Sequence, residues 1–213
     1  MIILAFDGFA ILLFLVLVAL LVGYFIFTRS HLGRNIDGKD MTRSVIGSEK
    51  KGKKYIIKDL IIPTPSGNKK IDFAVVNENG IVAFISASIH GHLNGRENEE
   101  EWFSRSNFKG TITYFDNPVK KAKFITKALE SFFPNIKIYT VVVFFDGNLY
   151  NVHTDTLTIY PRNCHQALKA LQSKEKLNEE EIIALGKKVK DLALENQKLP
   201  VNDDNNIKKD YEL

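Results

Sequence analysis

The chain has 213 residues and a formal net charge of +4, from 29 Lys and Arg against 25 Asp and Glu. So small an excess excludes a polycation that coats nucleic acid along its whole length. The single cysteine, Cys164, cannot form an intrachain disulfide, which argues against a disulfide-stabilised secreted protein. Residues 29–213 are enough for one domain with its own hydrophobic core.

The first part of the chain predicts a transmembrane helix. Residues 8–28 contain no charged side chain, and as a helix they span roughly 30 Å, the thickness of the hydrocarbon core of a bilayer. A cleaved signal peptide is the alternative, but the segment has no basic start and its apolar run is too long. We therefore predict a membrane anchor at 1–28 that contacts lipid through residues 8–28.

The charges that follow the anchor predict its orientation. Residues 29–58 contain nine Lys and Arg against three acidic residues, and no basic residue precedes the apolar run. Because basic flanks stay on the cytosolic side, we predict a single-pass protein of the cell membrane with its N-terminus outside and its domain in the cytosol. The polar segment 29–46 is interpreted as a juxtamembrane linker whose cations attract anionic headgroups, with nucleic-acid contact as the alternative.

Segments with strand and helix patterns then alternate, which predicts an α/β domain at 47–196. Apolar and β-branched residues predict strands at 55–62, 70–76 and 81–88, and the turn sequences at 63–68 and 77–80 join them as an antiparallel meander. Residues 90–116 have a loop composition, with one short strand predicted at 111–115.

The second half of the domain is predicted to be mainly helical around one central strand. A helix at 118–132 starts with Asn117-Pro118, and its apolar residues recur every three or four positions, namely Val119, Ala122, Ile125, Ala128 and Leu129. The near-continuous apolar run at 137–145 predicts a strand that is covered on both faces. A short strand at 156–160, helices at 162–172 and 178–195, and a disordered tail at 197–213 complete the prediction.

One carboxylate falls inside the second predicted strand. Asp72 lies within the apolar strand at 70–76, where alternation puts it on the same face as Lys70 and Ala74. A carboxylate buried there without a partner is costly, so Asp72 is either part of a site or faces solvent from an edge strand.

The order of these elements and motifs resembles the nuclease-related domain family, a branch of the restriction-endonuclease-like superfamily, over residues 47–194. The resemblance rests on the spacing of short motifs, namely Gly47-Ser48-Glu49, Asp59-Leu60-Ile61-Ile62-Pro63, Gly67-Asn68-Lys69-Lys70-Ile71-Asp72, Asn79-Gly80-Ile81-Val82, Gly91, Gly95, Trp102, Asn117-Pro118 and Val141-Val142-Val143-Phe144. It implies a mixed central sheet of the restriction-endonuclease type with flanking helices.

The resemblance also implies a metal-dependent phosphodiesterase site. In such a site carboxylates hold Mg²⁺, the metal activates water, and a lysine offsets the charge that develops on the phosphate. Asp72 matches the carboxylate of the second strand, and Glu49 is a further candidate from the opening motif, although only residues 50–54 separate it from the first strand. Lys70 is a candidate for the lysine, but it can instead form an ordinary ion pair with Asp72.

The rest of the family's site is missing from the third strand. Family members carry Glu-x-Lys there, and counting from Gly80 puts those positions on Ile85 and Ala87, while a shift of one residue puts them on Ser86 and Ser88. None of these side chains replaces a carboxylate and a lysine. We therefore expect no cofactor, or Mg²⁺ alone if some activity remains.

These observations predict a catalytically inactive module that binds nucleic acid or a protein. The basic face of the helix at 118–132, formed by Lys120, Lys121, Lys123 and Lys127, is the candidate contact with phosphates. The alternative is a diverged Mg²⁺-dependent nuclease that uses Asp72 and an acid outside the usual place, such as one in the run 97–101. A carboxylate and a lysine within about 4–6 Å of Asp72 would favour the enzyme.

Overall fold

A computed structural model describes residues 16–24, 31–65, 67–106, 110–201 and 207–211. The chain divides into two compact units, Met1–Gly38 and Lys39–Leu213. In the first unit, residues 16–24 are helical and exposed, and the remainder of the predicted anchor, 1–15 and 25–28, lies outside the described residues. Of the helices that the structure describes, none has the length and apolar character needed to cross a bilayer.

The α/β unit contains helices and strands in irregular alternation. Helix α1 (His31–Ile46) spans the boundary between the two units. The α/β unit itself contains α2 (Pro118–Phe132), α3 (Cys164–Ala170) and α4 (Glu179–Asn196), and a 3₁₀ helix at Pro161–Asn163 precedes α3. The strands are β1 (Lys54–Ile62), β2 (Lys69–Asn77), β3 (Gly80–Ala87), β4 (His92–Arg96), β5 (Glu101–Arg105), β6 (Ile112–Asp116), β7 (Ile138–Phe144), β8 (Asn148–His153), β9 (Thr158–Ile159) and β10 (Ile207–Tyr211).

The strands form two mixed sheets. The central sheet has the order β1-β2-β3-β7-β9, in which β1, β2 and β3 form the predicted antiparallel meander, while β7 is parallel to both β3 and β9. The second sheet has the order β10-β6-β5-β4-β8, and only its β4–β8 pair is parallel. The prediction of an α/β fold with a mixed sheet and flanking helices is confirmed, but the second sheet was not predicted.

Both faces of the central sheet are covered by hydrophobic side chains. On one face, β2, β3 and β7 pack with α2, α4 and the second sheet in a first core cluster that includes Ala74, Ile85, Ala87, Leu129 and Val189. On the other face they pack with α1 and α3 in a second core cluster that includes Phe73, Phe84, Ile46 and Cys164. The burial of β7 on both sides explains its continuous apolar sequence, as predicted.

Trp102 of β5 joins the second sheet to the central one. Its side chain has no exposed surface, and its ring stacks at 6.2 Å on Phe144 of β7 and meets Phe115 edge-on at 6.4 Å. The indole N–H donates to the carbonyl of Arg96 at 3.0 Å, so the one polar atom of the ring is satisfied. Gly95 lies against the flat of the indole, where a Cβ atom would overlap the ring. Residue 95 therefore has to be glycine for the tryptophan to fit.

Asn117 fixes the start of α2 and the acidic loop before β5. Its carboxamide oxygen accepts the N–H of Val119, which caps the helix, and its amide group donates to three carbonyls of the loop, at Arg96, Glu97 and Glu99. The residue is 2% exposed, so these bonds are shielded from water. The five apolar residues predicted for the inner face of α2 are the ones that are buried.

Three segments differ from the sequence prediction. The segment 29–46 was interpreted as a linker but contains helix α1. The sequence did not indicate this helix, because its buried positions are Gly38, Thr42 and Ile46, which give little hydrophobic signal. The loop-rich segment 90–116 contains β4 and β5 as well as the expected β6. The first two strands were not predicted because they are short and polar on one face. The tail was predicted to be disordered, but its strand β10 pairs with β6. The hydrogen-bond partners come from a distant strand, so the sequence of the tail does not indicate them.

We expect Asn117→Ala to destabilise the protein by about 2–4 kcal/mol, because the carbonyls of Glu97 and Glu99 and the helix-terminal N–H of Val119 lose the Asn117 side chain together, while the Arg96 carbonyl keeps the Trp102 indole. Asn178→Ala is the matched control, since Asn178 caps α4 in an exposed capping box and should cost only about 1 kcal/mol. Urea unfolding followed by the fluorescence of Trp102, the only tryptophan, measures both changes. Equal losses in the two variants would contradict this role of Asn117.

Candidate functional site

Asp72 of β2 lies at an interruption in the central sheet. Ile71 packs in the same core cluster as Ala74, although regular alternation would put these two residues on opposite faces. On β1, Asp59 lies between the residues that pair with Ile71 and Phe73, and it has a left-handed backbone with φ of 52°. Because both strands depart from regular geometry here, the side chain of Asp72 lies among groups that strict alternation does not predict.

A lysine and a backbone amide hold the Asp72 carboxylate. The ammonium group of Lys39, on α1, lies 2.7 Å from Oδ1, and the N–H of Ser86 on β3 donates to Oδ2 at 2.8 Å. Only 10% of the Asp72 side chain is exposed, whereas 49% of the Lys39 side chain is. Burial by itself raises the pKa of Asp72, but the bonds from Lys39 and Ser86 outweigh it, so the pKa lies below its ordinary value. Asp72 is therefore an ionised, compensated carboxylate.

The third strand does not provide a second carboxylate or a lysine at this place. Ile85 and Ala87, the counted positions of the family pair, are 2% and 7% exposed and pack in the first core cluster. The residue of β3 that contacts Asp72 is Ser86, which corresponds to the alternative alignment shifted by one residue. The interruption at Asp59 and Asp72 turns this carboxylate towards Ser86 and Lys39.

The two other sequence candidates lie elsewhere. The Glu49 carboxylate accepts the N–H of Ile56 at 2.9 Å and lies 3.4 Å from the Lys190 ammonium. The bond from Ile56 is the main reason that its pKa is lowered. Lys70 forms an ion pair at 2.6 Å with Asp59, and the lysine that pairs with Asp72 in the structure is Lys39. The irregular backbone of Asp59 brings its carboxylate to Lys70, and Lys39 takes the place at Asp72.

The donors around Asp72 do not fit a magnesium ion. Mg²⁺ takes six oxygen ligands at about 2.0–2.1 Å, commonly with one or two carboxylates among them. Here one carboxylate meets an ammonium group and an amide N–H, both of which repel a cation. Within the part of the chain that the structure describes, no three His, Cys, Asp or Glu side chains are grouped so that they could hold a metal.

The predicted phosphate-binding lysines of α2 are largely matched by acids. Lys120 pairs with Glu100, and Lys123 lies 2.8 Å from Glu97. Glu97 is also fixed by the N–H and hydroxyl of Thr156, and these bonds together with Lys123 lower its pKa in spite of its desolvation. The acids of the run 97–101 that pair with lysines therefore turn towards α2.

The other two lysines of this face differ from each other. Burial lowers the pKa of Lys69, and the nearby positive charge of Lys121 lowers it further, while Asp116 acts in the opposite direction. Lys127 is exposed on the outer side of α2. The four lysines thus form an uneven surface, on which Lys120 and Lys123 are paired with acids.

Two site residues, Lys39 and Ser86, were missed or only partly anticipated. Lys39 was counted among the charges of a linker, because a helix with the inward residues Gly38, Thr42 and Ile46 lacks apolar periodicity. The spacing of four residues between those three positions is the signal that a search for a helix could have used. Ser86 appeared only in the shifted alignment, since an interruption in a strand is not visible as a sequence pattern.

Replacement of Asp72 by Asn should produce a loss of stability that depends on pH. Because the pKa of Asp72 is lowered in the folded protein, the carboxylate contributes stability above its ordinary, unfolded pKa, and this stability is lost as the pH falls through the folded pKa. We expect Asp72→Asn to cost about 1–3 kcal/mol at pH 7, with the exposure of Lys39 taken into account. Urea unfolding of both proteins from pH 7 to about pH 3 should show the gap closing below about pH 4. A gap that stays constant over this range would rule out an ionic role for Asp72.

Comparison with known proteins identifies the family. The model of the nuclease-related domain family matches residues 34–145, from within α1 to the end of β7, which is more than half of the chain. The match starts before the predicted boundary at 47, so it includes most of helix α1 and with it Lys39. A search of curated proteins finds no match, and a search of solved structures also finds none. The chain belongs to the nuclease-related domain family.

Proposed function

We propose that the protein is a membrane-tethered nuclease-related domain of the restriction-endonuclease-like type that does not cleave nucleic acid and serves as a binding module. The observation that carries the proposal is the state of the Asp72 carboxylate. Both of its oxygens have partners, Lys39 on one side and the N–H of Ser86 on the other. Hydrolysis of a phosphodiester by a bound metal needs carboxylate oxygens that are available to the ion.

The alternative, a diverged Mg²⁺-dependent nuclease, requires two changes in this arrangement. Lys39 would have to leave Oδ1, and a second carboxylate would have to approach Asp72. The acids named from the sequence are engaged elsewhere, since Glu49 is bound to Ile56 and Glu97 to Lys123 and Thr156, and Asp59 on the adjoining strand is paired with Lys70. A lysine does lie within the distance that was expected to favour an enzyme, but its position is one that neutralises the carboxylate.

The proposed tether consists of residues 8–28, with the domain on the cytosolic side. The support is the absence of charge from this run and the nine Lys and Arg in residues 29–58 that follow it. Residues 16–24 of the run are helical and exposed. A domain attached in this way acts close to the membrane surface, where a binding module gains effective concentration towards partners in the same membrane.

Nucleic acid and a protein remain the two proposed classes of partner. The ion pairs of Lys120 and Lys123 weaken the case for nucleic acid, because a lysine already paired with an acid contributes less to phosphate binding. The charge arrangement on α2 therefore favours a protein partner.

We expect the purified protein, with Mg²⁺ or Mn²⁺, to leave single-stranded and plasmid DNA intact in a gel assay, because Asp72 cannot hold the metal. The control is Asp72→Ala prepared in the same way. Cleavage by the unaltered protein that disappears in Asp72→Ala would establish the diverged nuclease instead. Cleavage that is equal in both preparations would indicate a contaminating enzyme and would leave the expected result in place.

Binding to DNA should be undetectable for the unaltered protein at low salt and should appear when an acid is removed. Glu100 is well exposed and pairs with Lys120, so Glu100→Gln releases one lysine without disturbing the core. A fluorescence anisotropy titration with a labelled DNA duplex at several salt concentrations measures the change, and we expect weak, salt-sensitive binding only for the variant. Salt-sensitive binding by the unaltered protein that Lys127→Gln and Lys121→Gln reduce would instead favour a nucleic-acid partner.

A further inference from the structure

The Asp72 carboxylate is a charge that the central sheet can hold only with a compensating cation. The residue is 8% exposed and lies between β1 and β3. An ionised carboxylate without a partner in such a place is strongly unfavourable. The N–H of Ser86 contributes a partial positive charge, so a full positive charge has to come from another group.

Helix α1 delivers that charge from its inner face. Lys39 precedes the buried Thr42 by three residues and the buried Ile46 by seven, and these spacings place all three on one side of the helix. Ile46 packs in the second core cluster with Phe73, the neighbour of Asp72 in β2. The packing of α1 on this face of the sheet therefore directs the Lys39 ammonium to Oδ1, where the distance is 2.7 Å.

The sequence offers a nearer lysine that does not take this role. Lys70 is two residues from Asp72 on the same strand, yet it pairs with Asp59, whose side chain is 65% exposed. The buried carboxylate is thus matched with the lysine of α1 and the exposed carboxylate with the lysine of β2. This division is the one that electrostatics favours, because a charge pair is stronger where water is excluded.

We propose that the Lys39 ammonium takes the place of a divalent cation at the Asp72 carboxylate, so that the charge of this fold's site is balanced by the chain itself and does not depend on metal. A metal ion bound to Oδ1 at about 2.0–2.2 Å would lie within a few ångströms of the ammonium group and would be repelled by it. Removal of the ammonium then leaves a buried carboxylate that a divalent ion can neutralise. The proposal concerns the charge balance of the domain and stands whether or not the domain binds a partner.

The test compares Mn²⁺ binding and thermal unfolding in the full chain, purified in detergent, for the unaltered protein and Lys39→Gln. We expect the unaltered protein to show the same melting temperature with Mn²⁺ and with a chelator. Lys39→Gln should melt at a lower temperature and should be stabilised by Mn²⁺. By electron paramagnetic resonance titration, its affinity for Mn²⁺ should exceed that of the unaltered protein at least about tenfold, since one close like charge has been removed.

Two further variants locate the effect. Lys190→Gln removes an ammonium from the exposed pair with Glu49 and should change neither the affinity for Mn²⁺ nor its effect on melting. The double variant Lys39→Gln/Asp72→Asn has no charge to compensate, so it should melt at a higher temperature than Lys39→Gln and should not respond to Mn²⁺. A response to Mn²⁺ that persists in the double variant would overturn the proposal.

The remaining outcomes of these measurements also support or overturn the proposal. Binding of Mn²⁺ to the unaltered protein that Asp72→Asn abolishes would overturn the proposal, as would equal affinities of the unaltered protein and Lys39→Gln. If Lys39→Gln does not fold without metal, recovery of its folded state in Mn²⁺ supports the proposal. Failure to recover in Mn²⁺, while the double variant folds, contradicts it. DNA cleavage that depends on Asp72 would overturn both the proposal and the proposed function, whereas the lack of any binding partner would overturn the proposed function alone.

Discussion

A carboxylate buried in a β-sheet constrains everything that packs around it. Asp72 lies in β2 between two neighbouring strands, and its oxygens accept one ammonium group and one amide N–H. The ammonium comes from Lys39, so helix α1 has to lie on this face of the central sheet. The irregular backbone of Asp59 on the adjoining strand belongs to the same arrangement. The position of α1, the charge balance at Asp72 and the backbone geometry at Asp59 therefore depend on one another.

Apolar side chains occupy the part of the central sheet in which the resemblance placed the reactive pair. Ile85 and Ala87 lie at the positions counted for a glutamate and a lysine, and both pack in the first core cluster. The meander of β1, β2 and β3 and the parallel strand β7 need only apolar side chains there to remain stable. Under the proposed function the fold is retained while its chemistry is not, in line with the general rule that function depends on the site rather than on the scaffold.

Elements with strong local signals were predicted well from the sequence. The helix at 118–132 has a proline in its first turn and a capping asparagine, and its predicted residues match α2 at both ends. The Asn-Gly turn at 79–80 and the apolar run of β7 were equally clear. These features depend on neighbouring residues alone, so one sequence is enough to find them.

Elements that depend on distant contacts were missed. Helix α1 has an inner face made of Gly38, Thr42 and Ile46, and it is stabilised by packing on the sheet rather than by its own sequence. Strand β10 pairs with β6 across roughly ninety residues of chain. The candidate site itself was half predicted, because Asp72 stands out in its strand, whereas its partner Lys39 lies in a segment without a pattern. The pairing of Lys70 with Asp59 could not be deduced either, since it depends on the irregular backbone.

The central claim is that Lys39 holds the place of a metal ion at Asp72. A crystal structure of the protein soaked with Mn²⁺, with anomalous diffraction measured near the manganese absorption edge, tests it most directly. The account predicts no anomalous peak within coordination distance of Asp72 and a Lys39 ammonium that is still hydrogen-bonded to Oδ1. A manganese ion bound to the Asp72 carboxylate, with the Lys39 side chain displaced, would contradict it.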